Sequence, residues 1–147
     1  MRPTLLALTL LVASSAPAGL TAQDTAERAA VQRVLVAFAN NIHTGALAAN
    51  EALFTPSGVH ILTDDEALHG WAEFRDVRLV PELARYAGAR YAHTGVESSV
   101  RGRIAWAAFR WQMSGSGETP APVLGRASAV LEKIGEEWKI AHLHFSR

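Results

Sequence analysis

Two histidines near the end of the sequence, His142 and His144, combine a reactive residue type with a spacing that suits chemistry. They lie two residues apart in a predicted β-strand, so both rings project from one face, about 6.5 to 7 Å apart at the backbone. The pair could bind a metal with a third ligand such as His60, His93 or Glu97, because imidazole suits Zn, Cu, Fe and Ni. It could also carry protons near neutral pH, or be held by backbone groups. We favour this last, structural role, because buried polar groups are usually hydrogen-bonded.

A third histidine, His60, lies on the strand face opposite Val59 and Ile61. We interpret it as a rim or outer-face residue, with a role as a proton donor in a pocket as the alternative. Asp64 and Asp65 follow it, and we interpret both as turn formers because aspartate is common in turns. The candidate acids and bases are therefore the histidines His60, His142 and His144, whereas His43 and His69 are predicted to be exposed.

Arginines and tryptophans could complete a ligand pocket beside these histidines. Arg110 shares a predicted strand face with Trp106, and Arg126 lies on the next strand. An arginine among apolar residues is either paired or reaches solvent, and one that points inward could hold a carboxylate or enolate through two hydrogen bonds. Trp71 could roof the pocket or belong to the core. The pocket prediction therefore comprises six residues: Trp71, Trp106, Arg110, Arg126, His142 and His144.

Composition and missing motifs exclude several classes of function. The chain has 14 basic and 14 acidic residues without a basic run, which argues against nucleic acid or an anionic membrane as a partner. It has no cysteine, and no serine in a G-x-S-x-G context. Phosphate loops and dinucleotide fingerprints are absent too. We predict no cofactor and no metal site.

The first 22 residues have the pattern of an export signal. Arg2 is followed by an apolar run over residues 5–13, too short to span a bilayer, and then by small residues. We predict cleavage after Ala22, with Ala18 as the other option and an uncleaved membrane anchor as the alternative interpretation. Residues 23–147 would then form one domain of ordinary size, periplasmic or secreted, with no membrane association after cleavage.

The first half of this domain has helical patterns. A helix is predicted over residues 24–43, with Asp24 as the cap and Glu27 three residues on in a capping box. A short helix is expected over 46–54. A third helix is expected over 71–85, kinked or ended by Pro81. Its inward residues are predicted to be Trp71, Phe74, Val77 and Val80.

From residue 89 the period changes to two, which predicts strands over 90–100, 103–113, 123–134 and 138–145, after two short ones over 59–63 and 67–69. Helices first and long antiparallel strands last indicate an α+β fold. The last strand is expected to be apolar on both faces, with Trp138 and Ile140 on one and Leu143 and Phe145 on the other. Since helices can cover only one face, we expect a second copy of the chain to cover the other and form a homodimer.

The C-terminal part of the sequence resembles a known family. The segment Gly125-Arg126-Ala127-Ser128, the turn at Gly135, and the ending W-x-I-x-H-x-H-x-S that begins at Trp138 resemble the NTF2-like superfamily, nearest to its SnoaL-like or DUF4440-type branch. The resemblance covers residues 24–147. It implies a cone in which a strongly curved antiparallel sheet wraps the N-terminal helices, with an apolar pocket at its open end and dimers through the outer sheet face.

The superfamily includes isomerases, dehydratases, cyclases and non-catalytic binding domains, so the fold alone does not give the function. Ketosteroid isomerases of this kind use a tyrosine in the first helix region, where this chain has Phe38; its tyrosines are Tyr86 and Tyr91. Epoxide hydrolases use Asp-Arg-Asp, but the acids nearest to Arg110 are Glu97 and Glu132. We therefore transfer no catalytic residue.

Two functions remain. The first is a binding domain that holds a small apolar or amphipathic molecule in the cone. The alternative is a SnoaL-like enzyme of the isomerase, cyclase or dehydratase type, in which pocket histidines transfer protons.

Overall fold

The computed structural model describes residues 21–86, 88–116 and 121–147. The predicted signal segment lies almost wholly outside the described residues. The elements follow in the order α1 (Ala22–His43), a 3₁₀ helix (Leu47–Leu53), β1 (His60–Leu62), β2 (Ala67–His69), α2 (Trp71–Glu73), a π turn (Phe74–Leu79), α3 (Val80–Ala84), β3 (Arg90–Arg101), β4 (Ile104–Ser114), β5 (Val123–Ile134) and β6 (Glu137–Ser146). This confirms the α+β prediction. No helix in these residues is long and apolar enough to span a bilayer.

One curved sheet contains all six strands in the order β2-β1-β6-β5-β4-β3. The four long strands run antiparallel, as predicted. The pairing of β1 with β6 is parallel and was not predicted, since it joins segments from opposite ends of the chain. It places His60 beside His142.

Helix α1 packs against the inner face of the sheet and is capped one turn earlier than predicted. Thr21 accepts a hydrogen bond from the backbone N–H of Asp24, whose carboxylate accepts from the Thr21 N–H in return. Glu27 instead accepts hydrogen bonds from Lys133 at 2.6 Å and from the Trp138 indole at 2.7 Å. Both bonds tie α1 to the sheet. Its buried side chains are Val31, Leu35, Phe38, Ala39 and Ile42.

A β-bulge bends the edge strand β3 around α1. Thr94 pairs with Arg110 and Glu97 with Ala108, so β3 has one extra residue here. Gly95 has φ of +60°, which glycine adopts at little cost. The amide of Gln32 on α1 donates to the carbonyl of Val96 at 3.1 Å and so satisfies a backbone group that the bulge frees.

A second bulge, at Ala141, corrects the prediction for β6. Val130 pairs with His142 but Leu131 pairs with Ile140, which leaves Ala141 as an extra residue. One extra residue reverses the side-chain alternation beyond it. Ile140 and Leu143 are therefore both fully buried on the inner face, and the predicted apolar outer face of β6 is wrong.

The segment from α2 to α3 is helical throughout, but its buried side was predicted incorrectly. The π turn adds one residue per turn, so Leu79 takes the inward position after Phe74. Val77 and Val80 are exposed instead. Pro81 follows directly, and because it lacks an N–H it could not complete a regular α-helical turn there.

Candidate functional site

A small cavity lies between this helical segment and the inner face of the sheet. Its volume is about 50 Å³. Aromatic and apolar side chains form most of its wall, and charged residues surround its mouth. The lining residues are Thr63, Asp64, Phe74, Arg78, Leu79, Glu82, Tyr91, Trp111, Met113, Phe145 and Arg147.

The aromatic rings of the wall contact one another. Phe74 stacks on Phe145 with ring centroids 5.7 Å apart, and Phe145 meets Trp111 edge to face at 6.2 Å. Tyr91 stacks on the other side of the group, 6.3 Å from Trp111. Such contacts fix ring orientation beyond what apolar burial alone does.

Gly125 makes room for Trp111. The two residues are direct partners across β4 and β5, and a Cβ on Gly125 would lie 2.2 Å from the Ser146 carbonyl oxygen and 2.4 Å from the indole nitrogen of Trp111. The indole instead crosses this position and donates to the Ser146 carbonyl at 3.3 Å. The position of the cavity wall therefore depends on a glycine on the adjacent strand.

A partly buried hydrogen-bond chain runs from the cavity wall into the core. The Nδ1 atom of His93 is 3.1 Å from the carbonyl oxygen of Leu35, which can only accept, so Nδ1 carries the proton. Its Nε2 atom is therefore an acceptor, and the hydroxyl of Tyr91 donates to it at 3.2 Å. Phe38 and Phe109 flank the imidazole ring.

This environment keeps both groups neutral at physiological pH. Burial lowers the pKa of His93 to about 4, although the bond to Leu35 opposes the shift. Burial also raises the pKa of the Tyr91 phenol. The pair can thus orient a ligand or pass a proton through hydrogen bonds, but the imidazole is a weak base.

The mouth of the cavity carries two arginines and two acids. Arg147 pairs with Glu82 at 3.0 Å, and its backbone N–H donates to Asp64. Arg78 is less tightly held, 3.9 Å from Asp65. Apolar walls and a charged mouth suit a ligand with an apolar body and a polar end.

Most of the pocket residues predicted from the sequence lie elsewhere. Trp106, Arg110 and Arg126 are exposed on the outer face, by which we mean the sheet face turned away from α1. His142 and His144 lie on the same outer face because of the bulge at Ala141. Of the six predicted residues only Trp71 is inside, where it packs against Phe38 and Phe54 without lining the cavity.

The three candidate acid–base histidines come together, but outside the cavity. His60 pairs with His142, and His144 is next to Leu62. His93 lies on the opposite face of the sheet, so it cannot join them around a metal. Within residues 21–86, 88–116 and 121–147, no three histidine, aspartate or glutamate side chains are arranged to hold a metal ion.

Tyr91 and Trp111, which line the cavity, and His93, which accepts a hydrogen bond from Tyr91 behind the wall, were not predicted to form this site. The sequence does indicate which face of β4 points inward. Phe109 and Trp111 share the face opposite Arg110, and that face is the more apolar of the two. The partners Tyr91 and His93 follow only once the register of β3 on β4 is known.

Comparisons with known proteins agree with this architecture. A family model described as a SnoaL-like domain matches residues 31–147. A search of curated proteins found no match. Similar solved structures include an NTF2-like superfamily protein from Salmonella enterica, with a TM-score of 0.70 at 19% identity, covering 83% of this chain and 91% of that one.

Two further structures carry names that suggest activities for those proteins. A candidate dehydratase of the NTF2-like family from Streptomyces avermitilis has a TM-score of 0.70 at 20% identity, covering 83% of this chain and 96% of that one. A candidate ketosteroid isomerase from Shewanella frigidimarina has a TM-score of 0.66 at 19% identity, covering 80% and 94%. Identities this low show a shared fold, and the narrower DUF4440-type resemblance stays a prediction. Together with the family match, they establish that the chain belongs to the SnoaL-like domain family within the NTF2-like superfamily.

Proposed function

We propose that this SnoaL-like protein binds a small amphipathic molecule in the cavity lined by Tyr91, Trp111 and Phe145. The observation that carries the proposal is the composition of the site, in which aromatic walls lead to a mouth with two arginines. A water needs roughly 10 to 15 Å³ of such volume, so the cavity has room for a few waters. The expected ligand is therefore a single ring or a short chain whose polar end stays in the mouth.

The loosely held guanidinium of Arg78 favours an anionic end group. Its nearest carboxylate, on Asp65, is 3.9 Å away, whereas charge-assisted hydrogen bonds are typically about 2.7 to 2.9 Å long. Arg78 therefore keeps donors for a ligand carboxylate. Arg147 is already paired with Glu82 at 3.0 Å and has fewer free hydrogen-bond donors for a ligand.

Benzoate and benzyl alcohol form a matched pair of probes, since they share a ring but only benzoate is charged. We expect benzoate to bind more tightly in an NMR titration, and Arg78→Gln to weaken benzoate binding about tenfold, because a hydrogen bond to a charged group contributes roughly 1.5 to 3 kcal/mol. Arg75→Gln is the control, since Arg75 pairs with Asp76 and does not line the cavity. Equal binding of both probes, or an unaffected Arg78→Gln variant, would contradict the proposal.

Proton-transfer catalysis is the second candidate, favoured by the chain Tyr91–His93–Leu35 beside the cavity. Any such chemistry would use Tyr91 and His93, because His60, His142 and His144 lie on the outer face. The test is exchange of the α-protons of cyclohexanone in D₂O, followed by NMR. Catalysis predicts faster exchange with the protein and loss of that gain in His93→Gln; exchange at the buffer rate would reject it.

We also propose that the protein forms a homodimer through its outer face. Trp106 is 47% exposed there and Ile104 is 42% exposed, and both belong to strand β4, next to the edge strand β3. The face carries opposite charges as well. Arg110 and Arg126 form no ion pair with any described residue, and Glu97 on β3 pairs with Ala108, two residues before Arg110 on β4. Sedimentation at micromolar concentration tests this proposal, and a monomer mass would contradict it.

The predicted export signal leads to a proposal on location, in which residues 1–22 direct the chain to the periplasm or the medium. The two predicted cleavage sites differ in their effect on α1. Cleavage after Ala18 would keep its N-cap residue Thr21, whereas cleavage after Ala22 would remove it. Expression in a Gram-negative host and the mass of the product test both points. A chain of unchanged mass in the cytoplasm would reject export.

A further inference from the structure

Four of the six histidines of the chain lie together on the outer face of the sheet, and we call them the histidine strip: His60, His69, His142 and His144. His69, His60 and His142 are direct neighbours across β2, β1 and β6. The rings of His60 and His69 meet edge to face, with centroids 5.1 Å apart. His144 lies two residues beyond His142 on the same strand.

The surroundings of the strip are apolar or neutral. Leu62 and Ala67 lie beside His144 in one row, and Val130 separates His142 from Trp106 in the other. With such neighbours, the strip can be buried in an interface as long as its imidazoles are uncharged.

Charged groups approach the strip only at its borders. On the sheet these are Arg126 and Glu132 on β5, Lys139 on β6, Arg110 on β4 and Glu97 on β3. Beyond β1 and β2 they are Asp64, Asp65, Glu66 and Glu73; the carboxylate of Glu73 accepts from the His69 backbone N–H at 2.5 Å, and no imidazole of the strip is ion-paired to a described carboxylate.

We infer that the outer face is a pH-sensitive homodimer interface, which closes when the histidine strip is neutral and opens when the strip is protonated. This inference rests on the proposed homodimer and adds a regulatory property to it. The occupant of the face is a second copy of the chain.

The physical reason is the cost of burying charge. Histidine gains its proton between about pH 5 and 8, and burial disfavours the charged form. The His142 environment already has this effect in one subunit: burial lowers its pKa, and His144 and His60 lower it further, although the His60 backbone opposes them. A second sheet over the strip would add burial, so the dimer binds fewer protons than two monomers. Association must then weaken as the pH falls.

The charge pattern favours a second copy over an unrelated partner. The outer face carries cations at Arg110 and Arg126 and an anion at Glu97, none of them in an ion pair among the described residues. Two copies related by a two-fold axis can bring Glu97 of each near the arginines of the other. A partner of one charge sign would satisfy only one of these groups.

Sedimentation of the full protein at about pH 7.5 and about pH 5.5 tests the inference directly. We expect a dimer at the higher pH and a dissociation constant at least about tenfold larger at the lower pH. The quadruple variant His60→Gln, His69→Gln, His142→Gln and His144→Gln should dimerise at both pH values, since glutamine stays neutral. His43→Gln is the control, because His43 is exposed on α1 and lies outside the strip. Circular dichroism at both pH values shows that each variant is folded.

The possible results separate the inference from the proposal beneath it. A wild-type dimer with the same dissociation constant at both pH values would overturn the pH-sensitive interface and leave the homodimer standing. So would a quadruple variant that keeps the wild-type pH dependence. A monomer at both pH values would overturn the homodimer itself, and the inference with it.

Discussion

The two faces of the sheet use similar residues in opposite ways. The inner face holds Trp111, which is buried, and His93, which is partly buried and hydrogen-bonded at both ring nitrogens. The outer face holds Trp106 and the histidine strip, which are exposed or half-buried. Residue type therefore does not indicate function in this chain, whereas the side of the sheet does.

The difference arises from single residues that change the side-chain alternation. The extra residue Ala141 in β6 sends His142 and His144 outward and brings Ile140 and Leu143 to the same inner face. Without it, an unbroken period of two would place the histidines on the inner face of the sheet. A one-residue change in register thus decides whether the histidine pair belongs to a pocket or to a surface.

The largest expected contrast is between the two tryptophans of β4. Trp111→Ala should lower the free energy of unfolding by about 3 to 5 kcal/mol, because it leaves a cavity among Tyr91, Met113 and Phe145. Trp106→Ala is the matched control and, at concentrations below that of any dimer, should change it by no more than about 1 kcal/mol. Urea unfolding at neutral pH measures both. Equal losses would mean that the two faces are not as different as their exposure implies.

A methyl group at Gly125 should disturb the inner face next most strongly. Gly125→Ala places a carbon where the Trp111 indole and the Ser146 carbonyl now lie, so we expect a loss of about 1 to 3 kcal/mol from overpacking. Ser128→Ala, three residues on and exposed, is the control. Thermal unfolding of both variants checks the prediction, which fails if Gly125→Ala is as stable as the control.

His93 should make the stability of the fold depend on pH. Its pKa of about 4 in the folded chain is below the ordinary histidine value of 6.5, so the unfolded chain binds the proton more tightly between these values. Stability should therefore fall by about 2 kcal/mol from pH 7 to pH 5 through this residue. His93→Gln should remove that part of the pH dependence in urea unfolding. A wild-type-like pH dependence in the variant would contradict the assignment.

The smallest effect is expected on the outer face. Arg110 and Arg126 lie directly opposite each other across β4 and β5, an arrangement in which like charges repel. Arg126→Glu should stabilise the chain by about 0.5 kcal/mol, with Arg126→Gln between it and the wild type. Measurements below the concentration of any dimer separate this effect from association. A destabilised Arg126→Glu variant would show that other groups already offset the repulsion between Arg110 and Arg126.

Much of the fold could be predicted because it depends on local patterns. The periods of α1 and of the four long strands, and the glycines at turns 102 and 135, are visible in the sequence, and so is the outward position of His60. The cavity could not be predicted in the same way. It depends on the π turn before Pro81, the bulge at Ala141 and the register of β3 on β4. Gly95 and Pro81 permit the irregularities beside them but are equally compatible with ordinary turns, and Ala141 carries no signal of a bulge.

We place the ligand site on the inner face of the sheet, in the cavity lined by Tyr91, Trp111 and Phe145. The indole N–H signals of Trp111 and Trp106 in a ¹H–¹⁵N NMR spectrum report on the two faces within one titration, with benzoate as the probe. We expect the Trp111 signal to move as benzoate is added while the Trp106 signal stays in place. Movement of the Trp106 signal with an unchanged Trp111 signal would contradict it.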